Sequence, residues 1–475
     1  MKANPALYQV DARDWLYRVT EKIGRPATLD DISDADLDHL AALGFDWIWP
    51  LGIWQTGDAG VGVSRSMEAW QQSFVEAIPD LQPEDIAGSI FAIRGYQIHK
   101  DYGGAEALAR LRQRLLARGM RLMLDFVPNH TAIDHPWARN HPEYYMSASE
   151  SEADAGNYIR VDTDRGPMTL AHGRDPNFPG WPDTLQLNYG NPDLQRAMIA
   201  ELQHIATMCD GVRCDMAMLE LPDVFRRTWN IDIEDFWPRA IAAAKAVSND
   251  FVLMAEVYWG LEWRLQQLGF DYTYDKELYD RLRHGDAASV RGHLTASPDY
   301  QRKSVRFLEN HDEPRAAQVF DPDKHKAAAM ITYFVPGMRF FHDGQLQGCQ
   351  HKPSPHLRRR FCGPPDENLK EFYDGLLQLL RGEIYQSEWR LLDVESPLIC
   401  FAWQNKQGTL SIIAVNYSPH PSSGKAKLPP STLPTAKLTT QISSAKTDRA
   451  APLEIYLPLD LPPWGYRVIT SASSS

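Results

Sequence analysis

The stretch Asn191–Asp215, NPDLQRAMIAELQHIATMCDGVRCD, carries one helix and one strand in immediate succession. Asn191 can accept an N–H from the first turn, and Pro192 suits the first helical position, where a missing N–H costs nothing. Leu194, Met198, Leu202 and Ile205 then recur at helical spacing and form one apolar stripe. After Cys209-Asp210 the period changes. Gly211-Val212-Arg213-Cys214-Asp215 reads as a short buried strand that ends on a carboxylate. A helix that returns to a buried strand is half of a βαβ step, which pairs its strands in parallel.

The same alternation extends in both directions. Strands are expected at Leu7–Val10, Asp46–Pro50, Arg121–Val127, Gly211–Asp215, Phe251–Glu256, Asp271–Tyr274, Ser304–Asn310 and Met338–His342. Ser33 can cap a helix carrying Leu37, Leu40 and Leu43, and Gly44 stops it. Ala105–Arg118 presents Leu108, Leu111 and Leu115 on one face and ends at Gly119. Eight such units close naturally into an α/β (β/α)8 TIM barrel. Residues 131–189, rich in Asp, Gly, Pro, His and Tyr, lack helical period and read as a long insertion after strand 3. The barrel is then expected from 1–130 and 190–383. After Glu383 the texture becomes short strands and Pro/Ser-rich turns, so 384–475 reads as a C-terminal all-β sandwich.

Composition narrows the function. Of 475 residues, 43% are hydrophobic and 23% charged, which excludes disordered, collagen-like and coiled-coil classes. With 62 acidic and 49 basic residues the net charge is −13. Neither nucleic acid nor an anionic membrane is an expected partner, because both reward clustered Lys and Arg. No apolar run approaches the roughly 18 residues of a membrane-spanning helix. Met1-Lys2-Ala3-Asn4-Pro5-Ala6-Leu7-Tyr8 has no apolar signal core. Five cysteines cannot all pair, and Cys209 and Cys214 flank a buried strand. These features point away from a disulfide framework and toward a reducing, cytoplasmic setting.

Four strand ends carry polar residues that a structural role does not require. They are Leu124-Asp125-Phe126-Val127-Pro128-Asn129-His130, Gly211-Val212-Arg213-Cys214-Asp215, Leu253-Met254-Ala255-Glu256 and Phe307-Leu308-Glu309-Asn310-His311-Asp312. Taken alone, each has a plain reading: Arg213–Asp215 as a structural ion pair, His130 as a satisfied core histidine. Together they are harder to attribute to capping. Carboxylates gathered at a barrel mouth repel one another, and such clusters are where acid/base chemistry is tuned.

Together these segments resemble the four signature regions of the α-amylase family of glycoside hydrolases, often called family 13. The likeness runs from Tyr8-Gln9-Val10 to Pro463-Trp464-Gly465-Tyr466. The resemblance implies that Asp215 is the catalytic nucleophile and Glu256 the general acid/base. It implies that Asp312 is the third carboxylate, holding sugar hydroxyls as the ring distorts. His130 and His311 are implied to hydrogen-bond the glucosyl ring, with Arg213 beside the nucleophile. Phe91 occupies a position where the family often has a stacking Tyr. Tyr96, Tyr258 and Arg315 are further expected substrate contacts, and Trp181 and Tyr189 weaker stacking platforms. The chemistry agrees: a retaining glycosidase needs one carboxylate ionised and one protonated. An Arg beside Asp215 suits the first role, and an apolar, aromatic setting around Glu256 suits the second.

Departures from the family pattern shape the expected activity. Met218-Leu219 stand where many α-amylases have a Lys-His pair reaching a further sugar subsite, and Gln345 stands where Glu is usual. Asp312-Glu313-Pro314-Arg315 resembles small-oligosaccharide, exo-acting members. The leading expectation is retaining cleavage of α-1,4-glucosidic bonds in malto-oligosaccharides, starch or glycogen. An exo-α-glucosidase, transglycosylase or isomerase is the alternative, and a non-catalytic sugar-binding relative a remote one. No cofactor is expected. Many family members hold Ca²⁺ between barrel and insertion, and Asn129 of that set is present. The roughly six to eight oxygens that Ca²⁺ takes cannot be assembled from the sequence, so no obligatory calcium is expected.

Overall fold

Local signals set the helix ends. Ser33 accepts the Asp36 N–H, and Gly44, at φ 96°, closes the helix Asp34–Leu43. Asn191 accepts the Asp193 N–H ahead of the helix Pro192–Met208. Between such helices lie short strands that are almost wholly buried, as strands covered by helices must be. The computed structural model describes residues 2–149, 156–394, 397–428, 438–444 and 456–471.

Eight strands close into a barrel: β1 (Ala6–Asp11), β2 (Trp47–Leu51), β3 (Arg121–Phe126), β4 (Gly211–Cys214), β5 (Val252–Ala255), β6 (Tyr272–Tyr274), β7 (Ser304–Arg306) and β8 (Met338–His342). Each pairs with its neighbours in sequence, and β8 closes on β1. All lie where the apolar runs predict them. The differences are at the ends: β4, β5 and β7 stop before the polar residues expected to terminate them. After β7, for example, Asn310 Oδ1 accepts the N–H groups of Asp312 and Glu313, both at 2.8 Å. That turn replaces the ladder.

The insertion has more order than its sequence suggests. His130–Ala132 pairs antiparallel with Thr184–Gln186, and Tyr158–Thr163 forms a hairpin with Gly166–Ala171. Tyr158–Thr163 is nowhere fully buried, yet Ile159-Arg160-Val161-Asp162 alternates apolar and polar residues, a local strand signal inside a stretch that is otherwise rich in turn residues.

Packing groups the chain into two compact units, residues 8–274 with 351–361, and residues 1–7, 275–350 and 362–475. The second contains the C-terminal strands. One sheet runs in the order Glu388–Leu391, Leu398–Gln404, Leu410–Asn416, Tyr466–Ser471, Leu438–Ser443; Ser422–Lys427 pairs with Tyr456–Leu461. Both sheets contribute to one core that includes Cys400, Ile412, Ala426 and Leu459.

The cysteine reading needs correction. Cys349 and Cys362 form a disulfide with Cα atoms 5.1 Å apart. Cys209, Cys214 and Cys400 are buried thiols. This pair joins loop positions, away from the strand cysteines Cys209 and Cys214, so the cysteines give no support to a reducing compartment. Among the described residues, no helix is long and apolar enough to cross a membrane.

Candidate active site

Strand register creates the centre of the site. Cys214 pairs with Ala255 across β4 and β5, so the next residues, Asp215 and Glu256, leave the barrel side by side. The Asp215 N–H donates to Phe126 O (2.8 Å) and the Glu256 N–H to Cys214 O (3.0 Å). Arg213, fully buried on β4, spans the two carboxyls. Its Nη1 lies 2.5 Å from Asp215 Oδ1 and its Nη2 2.8 Å from Glu256 Oε2. The guanidinium also faces three rings: Phe91 at 5.4 Å, Trp49 at 5.6 Å and Tyr274 at 5.9 Å. Such contacts favour a cation that has left water. Trp49 and Tyr274 carried no sequence signal beyond being apolar strand residues.

Glu256 sits in a polar setting, against the apolar one its neighbours suggest. Tyr258 Oη donates to Glu256 Oε1 (2.7 Å), and the Met216 N–H donates to Oε2 (2.7 Å). A buried carboxylate without donors is costly, and the chain supplies them locally. Met216 adopts φ 44°, a left-handed conformation that costs a non-glycine residue on the order of 1–3 kcal/mol. Of the residues after Glu256, Val257 is buried and Trp259 is 42% exposed, so the aromatic cluster read from sequence splits apart.

The wall beside this pair comes from β3 and the insertion. His130 is buried, with Nδ1 3.3 Å from Asn129 Nδ2 and its ring 5.1 Å from that of Trp181. Burial pushes its pKa down, against the opposing pull of Asp215 and a hydrogen bond to the Phe91 backbone. It is therefore a neutral imidazole at pH 7. Phe91 is half-buried with its ring against Arg213. Two expected contacts turn out to be supports. Tyr96 Oη donates to Val127 O and accepts the Val127 N–H, both at 3.0 Å, which fixes the chain as it leaves β3. Tyr189 is fully buried and donates to Pro128 O (2.9 Å), so it offers no face for stacking.

In the other unit, His311 and Asp312 project from the Asn310 turn, with His311 Nε2 2.9 Å from Asp312 Oδ2. The Asp312 side chain is 39% exposed, far more than Asp215 or Glu256. Arg315 departs from the expected substrate contact. It is fully buried, and its Nη1 donates to Glu309 Oε1 (2.6 Å), Asp343 O (2.9 Å) and His342 Nδ1 (3.0 Å). Burial would raise the Glu309 pKa, but Arg315, His342 and the Ala316 N–H overcome it and hold the carboxyl at about 2. Glu309 lies within a segment read as catalytic, and only its burial reveals it as the counter-charge of Arg315. Gln345 likewise serves the core, donating to Tyr333 Oη (2.6 Å) and Tyr373 Oη (3.0 Å).

Among the described residues, no group of three or more His, Cys, Asp or Glu is disposed to hold a metal ion. A family model described as the alpha amylase catalytic domain matches residues 34–374. The chain is 25% identical over 328 residues to alpha-amylase MalA of Haloarcula japonica, covering 67% of this chain and 41% of that protein. It is 24% identical over 304 residues to alpha-amylase 3 of Dictyoglomus thermophilum, covering 58% and 57%. The matched region thus spans about half the length of these curated relatives. Other matches carry the names probable oligo-1,6-glucosidase, cyclomaltodextrinase and trehalose synthase. Among solved structures, the noncanonic maltogenic alpha-amylase AmyB from Thermotoga neapolitana superposes with a TM-score of 0.69 at 18% identity, over 98% of each chain. A catalytic-domain pattern matched through residues 34–374, on a closed eight-stranded barrel, establishes that this chain belongs to the α-amylase family of glycoside hydrolases.

Proposed function

We propose that the protein is a retaining α-glycoside hydrolase that cleaves α-1,4-glucosidic bonds in malto-oligosaccharides, starch or glycogen. The observation that carries this reading is the placement of Asp215 and Glu256 as the first residues beyond paired positions of β4 and β5, bridged by Arg213. Adjacent strands lie about 4.8 Å apart. A nucleophile and acid/base in a retaining enzyme stand about 5–5.5 Å apart, whereas an inverting pair needs about 6.5–9.5 Å to admit water. In the first step Asp215 attacks C1 while Glu256 gives its proton to the departing glycosidic oxygen, leaving a glycosyl-enzyme ester. The donors around Glu256 favour the carboxylate it becomes as that proton leaves. Glu256 then takes a proton from water, whose oxygen attacks C1 and releases Asp215. By the family pattern, Asp312, His130 and His311 hold the sugar, and Phe91 stacks on it.

Transfer to a sugar hydroxyl instead of water is the second reading. It is favoured by the relative named trehalose synthase, and Met218-Leu219 in place of a Lys-His pair takes support away from endo-acting amylase subsites. Maltoheptaose digestion decides between them: short maltodextrins or glucose follow from hydrolysis, longer oligomers or an isomerised disaccharide from transfer. NMR of the first-formed hydrolysis product should show the α-anomer. A β-anomer defeats the retaining mechanism, as does an Asp215→Asn variant that keeps a tenth of wild-type turnover.

A further inference from the structure

Asn129 stands at the joint between β3 and the insertion, where many α-amylase-family enzymes carry calcium. The donor set at this joint does not fit a cation. Gln186 ends the short strand that pairs with His130–Ala132, in register with His130, and its side chain reaches Asn129. Its Nε2 lies 2.9 Å from Asn129 Oδ1, 3.0 Å from Asn129 O and 3.1 Å from Leu187 O. Both side chains are buried. The amide orientation is fixed as well, because Oε1 accepts the Arg174 N–H at 3.2 Å. Flipping it would set a carbonyl oxygen against three other oxygens and an NH2 against an N–H.

We propose that the Gln186 amide nitrogen takes the structural place of a cation, so that the insertion is held on the barrel at Asn129 without calcium. Three oxygens converge on a group that carries two hydrogens and no formal charge. Ca²⁺ requires about six to eight oxygens at about 2.3–2.6 Å, and here the positive end of an NH2 already fills the focus of the oxygens. The joint also supports the candidate site. Leu187 N–H donates to Asn129 O (3.0 Å), and Asn129 Nδ2 lies 3.3 Å from His130 Nδ1. The same amide therefore ties the insertion to the residue that precedes His130.

The test uses the full chain, dialysed against EDTA and melted in graded CaCl2. A ligand that binds only the folded state raises the melting temperature with its concentration. The wild type should melt at the same temperature after EDTA treatment and at every calcium concentration. A fall after EDTA that calcium reverses overturns the proposal. In EDTA, Gln186→Glu and Gln186→Met should both melt several degrees below wild type, and wild-type melting in both variants also overturns it. Calcium should restore part of the loss in Gln186→Glu, which offers a carboxylate to the oxygen cluster, but none in Gln186→Met. A Gln186→Glu protein that gains nothing from calcium refutes the equivalence of amide and cation. Should that variant not fold, the wild-type titration alone decides.

Discussion

Replacing Arg213 by Met keeps an unbranched stem in the core and removes the charge that Asp215 and Glu256 share. The side chains of Arg213, Asp215 and Glu256 are 1%, 8% and 4% exposed, so solvent screens little of the change. The two carboxyls are then left side by side with no cation between them. Removing one partner of a buried ion pair costs about 3–5 kcal/mol, and this guanidinium serves two carboxyls at once. The expected loss is therefore at the upper end of that range, and it is limited because one carboxyl can take up a proton. Urea unfolding at pH 7, followed by the fluorescence of tryptophans such as Trp49 beside Arg213, reads the loss as a shift of the midpoint. The variants to compare are Arg213→Met, Asp215→Asn and the pair together. With Asp215 neutralised only Glu256 is left without its cation, so the cost of losing Arg213 should fall by on the order of 1–3 kcal/mol. Effects that add to within about 0.5 kcal/mol, or a cost below about 1 kcal/mol for Arg213→Met alone, would refute the shared-cation account.

Tyr258→Phe deletes one donor to Glu256 and should lower kcat by about tenfold, the worth of a hydrogen bond of about 1.5 kcal/mol to a charged group; unchanged kcat would remove Tyr258 from the site. Glu309→Gln leaves Arg315 buried without its counter-charge and should cost about 3 kcal/mol in a melting experiment. An Arg315→Ala variant with normal melting and a raised KM would instead return Arg315 to substrate binding. Burial holds the pKa of His325 and His342 at about 4, below the roughly 6.5 of the unfolded chain. Between those values the unfolded state binds more protons, so stability is full above about pH 6.5 and falls as the pH drops toward 4. His325→Gln should flatten that slope in melts from pH 8 to pH 4; an unchanged slope would contradict the assignment.

What sequence by itself determined here is local. Ser33 and Gly44 bound a helix, Asn191-Pro192 starts another, and apolar runs such as Val252–Ala255 mark barrel strands, because caps and periodicity depend on residues a few positions apart. Asp215 and Glu256 were legible for the same reason: each follows a buried run, and in a parallel barrel that position is the rim. Tertiary structure decided the partners. Gln186 reaches Asn129 across 57 residues, and Arg213 touches both carboxyls because register sets β4 against β5. Tyr96 and Arg315 look like substrate contacts in sequence, yet the hydroxyl of Tyr96 is taken by the Val127 backbone and the guanidinium of Arg315 by Glu309. A polar side chain withdrawn from water must find hydrogen-bond partners, and those partners come from whichever distant segments the fold brings beside it. Whether such a residue does chemistry or holds the core is therefore settled by burial and geometry, which no local pattern encodes.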